Sequence, residues 1–157
     1  MSEMTDPAPG DADDTQGLLW ENHAWSEWYP LDIAIAPREA KAPDTVGLYR
    51  LRCKERRGLI YIGEIGDSLR KRFRQLRKAT QYVAHGKSPG PPHIAGGCVH
   101  EHERAGFVVE VSWVEKPNLC RRDRKGVECE LIATYRKTMG TNPTCQFGGS
   151  FTEGNLG

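Results

Sequence analysis

The chain of 157 residues has no apolar run approaching the ~18 residues a membrane-spanning helix needs. Its first residues also lack a basic stretch followed by an apolar one, so neither a membrane span nor a secretory leader is expected. Five cysteines, Cys53, Cys98, Cys120, Cys129 and Cys145, make an odd count with no CxxC pair among them. That pattern reads as free thiols in a reducing cytoplasm rather than as a disulfide framework. Internal repeats are absent, and so is any finger or helix-turn-helix that would form a separate DNA-reading module. Net charge is nearly absent too: 22 Lys and Arg face 21 Asp and Glu, a total of +1 that by itself argues against a nucleic-acid partner.

What is present divides that total into two unlike parts. Residues 1–14 carry five acids and no base, so removing them from the count leaves residues 15–157 at +6. Residues 1–16 are read as an acidic, disordered tail and 17–157 as one domain of ordinary size. The basic excess is local, with eleven basic and three acidic residues between positions 50 and 78.

Trp20, Trp25, Trp28 and Tyr29 crowd the segment that follows the tail. Packing against the core is preferred to stacking on unpaired bases, because Trp is a large apolar payload in a small domain. Residues 46–53 alternate as a half-buried strand, and 58–63 follow across a polar link. A hairpin whose turn centres on Glu55 sets Tyr49 directly opposite Tyr61. Asp67 and Ser68 cap a helix with an apolar stripe of Leu69, Phe73, Leu76 and Val83. Residues 86–97 form a Gly/Pro-rich loop, with the loop region taken to extend to 104. Phe107, Val109, Val111 and Trp113 share one face of a third strand, and a second helix runs from about 119 to Met139 with Gly140 as its stop.

That last helix holds an anomaly. Val127, Leu131, Ile132, Tyr135 and Met139 make its apolar stripe, and Glu128 lies along the stripe's edge. A carboxylate aimed toward a core is costly unless paired or bound to a cation.

Taken together, Gly47-Leu48-Tyr49, Tyr61-Ile62-Gly63, the Arg-rich helix and Glu128 before Leu131-Ile132 resemble the GIY-YIG nuclease domain over roughly residues 45–147. The resemblance implies an α+β fold, a small three-stranded antiparallel sheet flanked by helices. It implies an endonuclease that hydrolyses DNA phosphodiesters with one divalent metal, Mg²⁺ or Mn²⁺, held by Glu128 alone among protein ligands. Tyr49 and Tyr61 would flank the attacking water, with the general base assigned to Tyr49. The helix arginine that contacts the scissile phosphate is assigned to Arg72, with Lys71 as the neighbouring candidate. Asn142 would brace the site from beyond the Glu helix, and Gln146 could take its place. Arg50, Arg70, Lys71 and Arg74 are expected to grip DNA phosphates without regard to sequence. Specificity is left to the loop at 86–104, the aromatic segment, DNA shape, a protein partner or a homodimer. His93, His100 and His102 lie in the loop region, and Cys98, His100, His102 and Cys120 are a conceivable zinc set of non-standard spacing. Two rival readings stand beside the nuclease: a DNA-binding module of the same fold without cleavage, and an RNA-directed enzyme or binder.

Overall fold

A computed structural model describes residues 14–87 and 95–149. Strands β1 (Leu19–Trp20) and β2 (His23–Ala24) form a small hairpin, and β3 (Tyr29–Pro30) runs into the single turn of α1 (Leu31–Ala34). The rest comprises β4 (Gly47–Cys53), β5 (Tyr61–Ile65), α2 (Leu69–Ala84), α3 (Ala95–Arg104), β6 (Val109–Glu115) and α4 (Arg121–Met139). The architecture is α+β. One antiparallel sheet, ordered β3-β6-β4-β5, is covered on both faces.

Sequence predicts three strands in this sheet, and it has four. The fourth, β3, is two residues long and pairs Tyr29 with Val111. A strand that short has no alternation to detect, and its pairing is secured by the Tyr29 ring stacked on Trp113 at 5.6 Å.

The period-two pattern of β4 sorts its side chains to two cores. Tyr49, Leu51 and Cys53 join Phe73, Leu76, Val99 and Trp113 beneath α1, α2 and α3. On the other face Leu48 meets Ile62, Leu131, Ile132 and Tyr135 beneath α4, with Trp20 and Trp25 closing the side. Phe73 alone, fully buried, contributes about 2 kcal/mol of apolar burial. Helix α2 starts where the sequence says, with Ser68 Oγ accepting from the Lys71 N–H at 3.1 Å. Helix α4 ends at Gly140, in the left-handed conformation at φ 82°.

Three further expectations are corrected. The β4–β5 register pairs Tyr49 with Gly63 and Leu51 with Tyr61, two residues away from direct Tyr49–Tyr61 opposition. The tail does not extend to residue 16: Asp14–Gln16 is a 3-10 turn, and Thr15 is 1% exposed. The stretch from Ala95 to Arg104 is a helix rather than loop. Residues 1–13 and His93 lie outside the described residues. Among those described, no helix is long and apolar enough to cross a membrane.

Candidate active site

Tyr49 and Tyr61 lie on the same face of neighbouring strands, on diagonal rather than opposed positions. Their rings stack at 6.0 Å between centroids. Gly63, directly across from Tyr49, makes this possible, since a Cβ there would lie 2.6 Å from the Tyr49 ring. Gly47 answers a second close approach, as its Cβ would sit 2.2 Å from the Val114 carbonyl oxygen on β6. Phe73 of α2 meets Tyr49 edge-on at 5.4 Å and fixes the ring from behind.

The two phenols are not equivalent. Tyr49 is 4% exposed, whereas Tyr61 is half-buried and lines a cleft with Glu128. Burial raises the pKa of both hydroxyls above the ordinary phenol value. For Tyr49 the neighbouring Tyr61 adds to this, for Tyr61 the Glu128 carboxylate does, and the Arg72 guanidinium opposes the rise in each.

Arg72, on the second turn of α2, is thus charge-coupled to both tyrosines and to Glu128. Its Nε is buried with no hydrogen-bond partner among the described residues. Lys71 turns outward instead, 3.6 Å from Asp67, with 64% of its side chain exposed.

Glu128 reaches the site around β5, the edge strand. Its side chain is 16% exposed, and the Lys125 ammonium lies 3.8 Å away. Burial raises the pKa of its carboxyl; Glu64 adds to this, while Lys125, a hydrogen bond from the Glu64 backbone and Arg72 act against it. Glu64 is already committed, to Arg124 at 3.2 Å and to Lys125 at 3.3 Å. No family model matches this chain, and no curated protein or solved structure matches it either.

Gln146, not Asn142, braces the site. Its Oε1 accepts from the Ile62 N–H at 2.9 Å and its Nε2 donates to the Ile62 carbonyl at 3.0 Å. Asn142 accepts from Arg136 and lines a different pocket, beside Tyr135 and Met139.

The expected phosphate grip is redistributed. Arg50 is 0% exposed, so it cannot touch a phosphate. Strand alternation turns it away from Tyr49 and between Trp25 and Trp28, at 4.5 and 4.6 Å from their centroids, where it donates to the Thr15 and Gly17 carbonyls. Arg70 Nε donates to the Ala42 carbonyl at 2.8 Å, which fixes its side chain against the α1–β4 connection. Arg74 is exposed on α2. Missed from the sequence were Lys125 and Arg136, which line the cleft from α4. Their spacing from Glu128, at i−3 and i+8 along one helix, carried the signal.

The cysteines differ from expectation as well. Cys98 and Cys145 are joined by a disulfide, and His102 Nδ1 lies 3.9 and 4.0 Å from the two sulfurs. Cys120 is exposed at the start of α4 and His100 is half-buried on α3, so the conceivable zinc set is not assembled. Cys98, His102 and Cys145 do bring three soft-metal donors together. However, the sulfurs are bonded to each other and Nδ1 is hydrogen-bonded to the Cys98 carbonyl at 2.8 Å.

Proposed function

We propose that the chain is a divalent-metal-dependent endonuclease of the GIY-YIG type that hydrolyses DNA phosphodiesters. Arg72 carries the reading. A buried donor with no partner costs about 1–3 kcal/mol, and such groups persist where a ligand completes them. This one stands beside two stacked tyrosines and a carboxylate, and a phosphate oxygen is the acceptor that would satisfy it.

Glu128 fits a hard cation. It offers oxygen donors at an open cleft, and its one described ion-pair contact is long. Mg²⁺ or Mn²⁺ bound there would supply positive charge to the phosphate and the departing oxygen. Arg72 would hold the phosphate by charge-assisted hydrogen bonds. Tyr61, the phenol that reaches the cleft, would orient the attacking water; taking the water's proton requires the phenolate, which the Arg72 guanidinium and a bound cation would favour against burial. Burial disqualifies Tyr49 as the base; it acts as the platform against which the Tyr61 ring is fixed. Lys125 would stay close to neutralise Glu64 and Glu128.

A plasmid-nicking assay tests this. Wild type should nick with Mg²⁺ and not in chelator, and Glu128→Ala should lose roughly 100-fold or more. Equal nicking by both proteins would overturn the metal site. Binding without nicking by either would favour a DNA-binding module.

A further inference from the structure

The cleft holding Tyr61 and Glu128 is larger than a phosphate and a hydrated ion require. It encloses about 540 Å³, and beside its charged groups it has apolar lining from Cys129, Ile132 and Ala133 on α4 and from Phe147. A volume of that size suits a nucleoside-sized group.

Phe147 is the unusual part. It is 72% exposed, and its backbone is left-handed at φ 53°, ψ 40°. For a bulky side chain that conformation is a genuine outlier, of the kind stored at functional sites. The two residues before it are anchored. Cys145 is tied to α3 through Cys98, and Gln146 grips the Ile62 backbone through both of its amide atoms. Folding thus keeps a flat apolar ring in water on the lip of the cleft where a phosphate would be cut.

We infer that this cleft receives one nucleobase turned out of the DNA helix, stacked on Phe147, with its neighbouring phosphate delivered to Arg72 and Glu128. The preferred substrate is therefore DNA bearing an unpaired or easily everted nucleotide, not uniform duplex. Turning a base out is cheapest where it has no partner, which is the source of the selectivity. Arg136 on the same wall supplies donors for the base edge. The inference deepens the nuclease reading and rests on it.

Two duplexes that differ only by a single bulged 2-aminopurine test the idea, with binding measured in chelator. Wild type should bind the bulged duplex roughly 10-fold tighter and raise the 2-aminopurine fluorescence, because leaving the base stack relieves its quenching. Phe147→Ala should lose both the preference and the fluorescence change while keeping its affinity for paired duplex, and Phe147→Trp should retain the preference. Ala133→Trp, an exposed helix position that would fill the cleft, should reproduce the loss should Phe147→Ala fold poorly. Equal affinity of wild type for the two duplexes, or a preference that survives both Phe147→Ala and Ala133→Trp, would overturn the base pocket. Tighter binding of the same bulge in RNA would overturn the assignment to DNA. Cleavage is scored separately in Mg²⁺: preference without cleavage removes the nuclease reading alone, and cleavage without preference removes the base pocket alone.

Discussion

Glu128 is held where the fold would rather have a neutral group. Burial makes its carboxyl harder to ionise than in the unfolded chain, so the ionised form costs stability at neutral pH. That cost is absent below the ordinary carboxyl range and grows as pH rises through the raised native value. Glu128→Gln removes it. In chelating buffer, Tm of Glu128→Gln should exceed that of wild type at pH 7–8, by on the order of 2 °C. The two should converge near pH 4; a constant difference across pH would exclude the carboxyl as its cause. At this scale the sequence was most informative where parity alone decides. The two-residue register shift leaves Tyr49 and Tyr61 on one face, because side chains alternate with period two. The same parity should have sent Arg50 to the opposite face. What it could not supply was the pair of tryptophans that cover Arg50, since Trp25 and Trp28 belong to no periodic element.

Among the elements, α3 anchors the segment that walls the cleft opposite α4, through the Cys98–Cys145 bond. It begins Ala95-Gly96-Gly97, poor helix formers that read as loop, and its apolar stripe is little more than Cys98, Val99 and His102. Helix formation there depends on packing against α2 and β6, which no local pattern records. Once α3 is a helix, Cys98 and His102 fall one turn apart and meet Cys145 from beyond α4. The bond spans 47 residues, and closing a loop of that size in the unfolded chain is worth about 4 kcal/mol. Cys145→Ser should therefore lower Tm by roughly 10 °C under oxidising conditions. Dithiothreitol should bring wild type down to the variant. A wild type indifferent to reductant would show that the bond does not form in solution.

For the whole molecule, charge is the property that composition disguised and folding then reassigned. Of the eleven basic residues between 50 and 78, Arg50 is covered by tryptophans, Arg52 is bound to Glu110 at 2.8 Å, and Arg77 to Asp32 and Glu103 at 2.9 and 2.7 Å. Exposed cations remain on α2 at Lys71, Arg74 and Lys78, and α4 adds Arg121, Arg122, Lys125, Arg136 and Lys137. These are the charges for which the acidic N-terminal residues would compete with DNA. Removing residues 1–13 deletes four of the five acids in the first fourteen positions and raises the net charge from +1 to +5. The cut must stop there, because the Thr15 carbonyl accepts from Arg50 and Gln16 bonds the Arg56 and Gly58 carbonyls. The shortened protein should bind a DNA duplex several-fold tighter at about 50 mM salt. The gain should vanish near 0.5 M, where screening falls to a few ångström. Unchanged affinity at low salt would mean that the acids and the DNA do not share a surface. A gain that persists at high salt would instead implicate contacts other than charge.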